Sequence, residues 1–146
     1  RIMSLKDGSK KMSKSELSDL SRINLTDNKD QIINKIKKAK TDPLPMPKSL
    51  KEIDERVEAK NLIGIYASLT NSTLEKSIEN FAGKNFSEFK EKLSQVLVDK
   101  IEPISAEIKK LLADQEYLDQ ILLEGVEKAN SIASKKIERI KEIVGF

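Results

Sequence analysis

Cysteine and histidine are both absent from the 146 residues. Without cysteine there are no disulfides and no thiolate metal sites, and a reducing compartment is permitted. Without histidine as well, zinc sites of the usual kind and Ser-His or Cys-His catalysis are excluded within this chain. No run of about 18 apolar residues occurs, so no membrane-spanning helix is expected. The first twenty residues hold no apolar h-region, so no signal peptide is expected. Tryptophan is missing and alanine and arginine are scarce, a bias that reports on the coding genome more than on function.

What is present suits one domain of ordinary size: 38% hydrophobic residues against 35% charged ones. The formal charge of +3 balances 27 basic against 24 acidic residues. A nucleic-acid binder can be this neutral overall if its lysines are clustered.

The chain opens on "RIMSL", which reads as the end of a short strand. A lone strand leaves backbone groups unpaired, so the chain is expected to be a fragment whose partner strands lie upstream. Helical patterns follow. Thr26 or Asp27 is a candidate cap for a first helix with Ile32, Ile33 and Ile36 on one face. "TDPLPMPKS" must be extended, because each proline turns the residue before it away from helix. Ser49 reads as the cap of "LKEIDERVEAKNLIGIYASLT", and Thr73 as the cap of a short helix ending at Gly83. A longer helix begins near Phe86 or Ser87, with Pro103 predicting a kink or break near Glu102. Asp114 caps the last helix, with Leu118, Ile121, Leu122, Val126, Ala129, Ile132, Ala133, Ile137, Ile140 and Val144 expected inward. Gly125 suggests close approach by a neighbour. The expected fold is therefore an all-α helical bundle, preceded by a short strand and loop whose partner strands lie upstream.

The stretch "DGSKKMSKSEL" from Asp7 has three lysines and three serines and no apolar face. A solvated Lys/Ser linker is the commoner meaning of such a composition. The alternative is chemical. Lys11 and Lys14 are compact point charges on long stems. On a mobile loop they can close over a polyphosphate and neutralise charge that develops on a leaving pyrophosphate. Ser13 and Ser15 add hydroxyl donors, and Met12 can pack against a flat base. The loop follows a strand end, where ligands bind in open α/β sheets.

The residue order decides between them. Lys11-Met12-Ser13-Lys14-Ser15 spells the second signature of class I aminoacyl-tRNA synthetases, a pentapeptide expected by chance in about one such chain in a thousand. "RIMSLKDGSKKMSKS", "INLTD", "IINKIKKAKTD", "NLIGIYASLT" and "EGVEKANSIASKKIERI" together resemble bacterial tryptophanyl-tRNA synthetases, in that family's order and over nearly the whole chain. Tyrosyl-tRNA synthetases are the nearest rival. The family usually has Asp, often then Pro, after the pentapeptide; here Glu16 and Leu17 follow. "DPLPMPKS" also departs from the family pattern.

The resemblance implies that the strand and loop belong to an upstream α/β nucleotide-binding domain, and a division into residues 1–26, the end of that catalytic domain, and 27–146, a helical domain on the anticodon side of tRNA. It implies activation of tryptophan by ATP, with Mg2+ accompanying the nucleotide, and transfer to tRNA(Trp) by a cytoplasmic homodimer. Lys11 and Lys14 would stabilise the pyrophosphate. Ser13 would hold phosphate or loop, with Ser15 beside it at the ATP site, and Met12 and Ile2 would flank the adenine. The family's first signature carries paired histidines and is expected upstream, so this piece alone is expected to be inactive. In the last two helices Lys109, Lys110, Lys128, Lys135, Lys136, Arg139 and Lys141 interleave with Glu107, Glu127, Glu138 and Glu142 at spacings that suit intrahelical pairs. No anticodon-reading residue stands out among them. A non-catalytic helical RNA-binding or scaffold protein is the rival of another class.

Overall fold

The computed structural model describes residues 1–145. By internal contacts the chain divides into two compact units, one of Arg1–Ala106 and one from Glu107 onward.

The first unit begins without regular structure. Met3 and Lys11 form one isolated antiparallel bridge, closed by Ser4 N–H to Lys10 O at 2.8 Å and Met12 N–H to Ile2 O at 3.2 Å. This single pair stands where the sequence predicts a strand end. The chain turns back at Asp7–Lys10 before a ladder can extend. A short 3-10 turn, Asp19–Ser21, follows.

Helix α1 spans Lys29–Lys37. Its cap is Asn28, one residue beyond the expected candidates, because Asn28 and Gln31 form a reciprocal capping box. Ile32 and Ile36 are buried, but Ile33 is 38% exposed and the third inward position is taken by Lys35. At its C-terminus the Lys90 ammonium donates to the carbonyls of Lys37 and Ala39, at 3.2 and 2.6 Å. A cation there matches the negative end of the helix dipole. Partial burial pushes the Lys90 pKa down.

The proline stretch forms neither helix nor strand, and it is pinned. Met46 N–H donates to Lys84 O and Gly83 N–H to Met46 O, while Met46 and Pro47 are buried. Gly83 takes a φ of 72°, which suits glycine at a helix exit. Ser49 then caps α2, Leu50–Asp54. The single helix predicted from Leu50 is in fact two: α3 is a separate element, Val57–Thr70. The break falls at Arg56, whose guanidinium is bound sideways. It grips Asp42 with Nε at 2.9 Å and Nη2 at 2.6 Å, reaches the Pro45 carbonyl at 2.8 Å, and lies over the Phe86 ring. Leu50 and Val57, expected among the apolar positions, stay exposed.

Thr73 caps α4, Leu74–Phe81, as predicted. Tyr66, Phe81 and Phe89 meet edge to face, with centroids 4.9–6.1 Å apart. They join α3, α4 and the start of α5 to a core that includes Leu5, Ile36, Ile53, Leu62, Ile63, Ile78, Leu93 and Leu97. Helix α5 runs unbroken over Phe86–Ala113. Of the kink or break expected near Glu102, a break does not occur. Pro103 and Asp99 are both exposed, so the carbonyl that loses its helical N–H partner can be hydrated.

In the second unit, α6 covers Gln115–Val144 and is capped by Asp114, whose carboxylate accepts from the Tyr117 N–H at 3.0 Å. Its residues are not inward: none is buried, and Ile121, Leu122, Val126, Ile132, Ile137, Ile140 and Val144 are each about half exposed or more. A Cβ at Gly125 would meet nothing within 4 Å, so the close approach expected there does not occur. Periodicity shows that an apolar stripe exists, not that anything covers it. Among the described residues no helix is long and apolar enough to cross a membrane.

The Asp42–Arg56 pair yields the first prediction. Burial alone would raise the Asp42 carboxyl, but the Arg56 fork and the Leu44 N–H outweigh it and hold the pKa below the ordinary value. A carboxylate depressed in this way stabilises the fold fully above its unfolded pKa of about 3.9, and the contribution is lost as pH falls through the folded value. Arg56→Lys keeps the charge and loses the fork. It is expected to cost about 1–2 kcal/mol at pH 7. Denaturant unfolding should show that difference shrinking below about pH 4; an equal difference at both pH values would show that the fork is not its source.

Candidate functional site

The signature loop hangs between two anchors. The first lies on α3. Asn61 reaches back across the chain: its Oδ1 accepts from Met3 N–H and its Nδ2 donates to Met3 O, both at 2.9 Å. Buried and amide-bearing, it supplies the pairing that a neighbouring strand would give. Beside it, the loop backbone at Gly8 runs against the start of α3. A Cβ there would sit 2.8 Å from Val57 C, 2.9 Å from Glu58 N and 2.9 Å from Val57 O. Those are backbone atoms, so only glycine permits this approach. Asp7 shapes the turn by accepting from the Ser9 N–H and hydroxyl. Those bonds, the Ser9 hydroxyl first, lower the Asp7 pKa.

The second anchor is Arg22, whose Nη1 donates to Glu16 O at 2.9 Å. It ties down the chain just past the pentapeptide.

Between the anchors, Lys11 sits at the bridge to Met3 and Met12 is partly buried against the core. Ser13, Lys14 and Ser15 form an exposed arc. The two serine hydroxyls bond each other at 2.9 Å, and Ser15 N–H donates to Ser13 Oγ at 3.3 Å, a local turn that points the arc without burying it. Lys10 pairs with Asp7 at 3.3 Å. Lys11 and Lys14 make no ion pair among the described residues. The structure therefore separates a neutralised lysine from two lysines whose ammoniums are open to an anion. It also brings Ile2 and Met12 together through their main chains, with the Met12 N–H spent on the Ile2 carbonyl. Among the described residues no group of three or more His, Cys, Asp or Glu could hold a metal ion.

Comparison with known proteins gives the family. The family model described as "tRNA synthetases class I (W and Y)" matches residues 1–102. The chain belongs to that family. A tryptophan–tRNA ligase of Caulobacter vibrioides is 47% identical over all 146 residues, which span 42% of its own length. One of Rickettsia felis is 49% identical, with 44% of its length covered. The crystal structure of tryptophanyl-tRNA synthetase from Mycoplasma pneumoniae superposes with a TM-score of 0.68 at 25% identity, covering the whole chain and 45% of that protein. The chain thus spans about two fifths of the length of the curated relatives it matches.

Sequence reasoning found the pentapeptide of this synthetase-family chain and missed what holds it: Gly8, Asn61 and Arg22. One of these had a legible signal. Asn61 is a polar residue at a position where the helical period calls for an apolar one.

Gly8→Ala is expected to lower stability by about 1–3 kcal/mol, as overpacking against an immovable backbone does. Unfolding measured beside Gly64→Ala, where an added Cβ meets nothing within 4 Å, checks it. Equal effects at the two glycines would mean that the approach at Gly8 is not a constraint.

Proposed function

We propose that the chain is the signature-loop and helical part of a tryptophan–tRNA ligase. The full-length enzyme joins tryptophan to ATP: a carboxylate oxygen of the amino acid attacks the α-phosphorus, the bond to the β-phosphate breaks, and pyrophosphate leaves. The tryptophanyl group then passes from the adenylate to tRNA(Trp). The observation that carries this reading is the pair of unneutralised lysines, Lys11 and Lys14, on one exposed loop anchored at both ends.

Lys11, held at the bridge, and Lys14, on the free arc, meet the negative charge that gathers on the departing pyrophosphate. Ser13 and Ser15 offer hydroxyls to phosphate once their mutual bond opens. Ile2 and Met12 flank the adenine. Mg2+ arrives with the nucleotide. Residues 1–26 close the catalytic domain and 27–146 form the helical domain facing the anticodon end of tRNA. The working enzyme is a cytoplasmic homodimer. A tyrosyl enzyme is the second reading, because the matching family model spans both specificities; the names of the relatives favour tryptophan.

ATP–pyrophosphate exchange by the full-length protein tests this. Tryptophan should drive exchange, and Lys14→Ala should lower kcat about a hundredfold or more, since a donor aimed at transition-state charge is lost. The KM for tryptophan should move by less than about threefold. Exchange driven by tyrosine would move the specificity and leave the loop's role standing. A Lys14→Ala effect confined to the KM for tryptophan would remove that role.

A further inference from the structure

Behind the loop lies a chain of charges that the signature does not include. The Lys35 ammonium is buried, with 3% of its side chain exposed, and touches two carboxylates: Asp27 Oδ2 at 2.6 Å and Asp19 Oδ2 at 2.7 Å. The other oxygen of Asp19 forms an ion pair with Arg22, 3.2 Å from Nη2. Arg22 Nη1 holds the Glu16 carbonyl at 2.9 Å. Asn24 braces the set, donating from Nδ2 to Asp19 at 2.9 Å and to Asp27 at 3.3 Å, and accepting from Arg22 Nε at 3.2 Å. Two cations face two anions, so the set is neutral as a whole and each member is oriented by its neighbours.

We infer that Lys35 is a positioning residue for the signature loop, acting through Asp19 and Arg22 on the Glu16 carbonyl and so on the placement of Lys14. The geometry allows little else at that end. Residues 13–17 are all exposed, and Leu17, apolar as it is, is fully exposed and contributes no packing anchor. Ser13 and Ser15 bond only each other and the local backbone. The Arg22 contact is thus the hold on the arc's far side, and Arg22 is itself aimed by Asp19. Asp19 is half exposed, and its carboxyl is kept below the ordinary aspartate range first by the Lys35 hydrogen bond and then by Asn24. Lys35, fixed in the core of α1, is what makes a surface carboxylate a fixed point. The consequence for catalysis rests on the reading of Lys14 given above; the consequence for loop order does not.

The experiment separates the two. In the full-length protein, Asp19→Asn cuts the relay between two intact ends, Arg22→Gln removes its last link, and Lys35→Met removes its root. Tryptic cleavage after Lys14, followed by mass spectrometry, reads the loop, with cleavage after the exposed Lys100 in α5 as the control. Cleavage at Lys14 should rise about tenfold in Asp19→Asn and Arg22→Gln while cleavage at Lys100 is unchanged. The double variant should be no faster than Arg22→Gln alone, as expected for links in series. In pyrophosphate exchange the same variants should lose about tenfold in kcat with little change in the KM for tryptophan. Should Lys35→Met fail to fold, Asp19→Asn still decides the matter, because its side chain lies at the surface. Cleavage at Lys14 within twofold of wild type in Asp19→Asn, or effects of Asp19→Asn and Arg22→Gln that multiply, would overturn the relay. A freed loop in a protein that never catalysed exchange would leave the relay standing and overturn the function read for Lys14.

Discussion

Backbone groups in the stretch from Ile2 to Leu5 have neither a helix nor a sheet to pair in, yet Ser4 and Leu5 are buried. Buried N–H and C=O groups left without partners cost about 1–3 kcal/mol each. The fold answers one group at a time. Asn61 takes both polar groups of Met3, Lys10 O takes the Ser4 N–H, Ser21 O takes the Leu5 N–H, and the Lys40 N–H caps the Leu5 carbonyl. Each partner comes from a different part of the unit. The opening stretch is therefore tied at once to α3, to the signature loop, to the 3-10 turn and to the exit of α1. What carries the loop is this set of individual bonds rather than a ladder, and Gly8 is where the chain must come closest to fit it.

A second constraint concerns charge. A buried ammonium between two carboxylates is costly to desolvate, and removing one partner of such a set typically costs about 3–5 kcal/mol because the other is left uncompensated. Replacing a buried ion pair by apolar residues is often neutral for stability. Stability alone therefore gives no reason for Lys35 to stand at a position where Ile32 and Ile36 show what the core prefers. Orientation does. An isoleucine at 35 would fill the space and take from Asp19 its shortest contact, leaving Asn24 and Arg22 alone to orient it.

The helices were legible wherever capping and periodicity agreed. Ser49, Thr73 and Asp114 cap as the sequence implies, because a cap is a local contract between a side chain and an N–H two or three residues on. The split between α2 and α3 was not legible. It depends on Arg56 meeting Asp42 fourteen residues away, and nothing local in "DERVE" announces that. Pro103 leaves α5 unbroken for the opposite reason: the carbonyl it frees lies on the wet side of the helix. For the site, the pentapeptide was read directly, since its order is the signal. Its supports were not, because Gly8 matters only through a contact with Val57, and Arg22 only through a carbonyl six residues away.

Helix α6 shows the limit of pattern reading most plainly. Its apolar residues recur at spacings of three and four, as those of α5 do, and the two sequences give no means of ranking them. Yet Phe89, Leu93 and Leu97 of α5 are buried and no residue of α6 is. The difference lies outside the pattern. The buried stretch of α5 begins beside the aromatic triangle of Tyr66, Phe81 and Phe89, whose rings come from three separate helices, and it continues along a face that those helices share. An amphipathic stripe becomes core only where other elements converge on it. That convergence is helped by long-range partners: Asn61 ties α3 to the opening stretch, and Arg56 ties the break before α3 to Asp42.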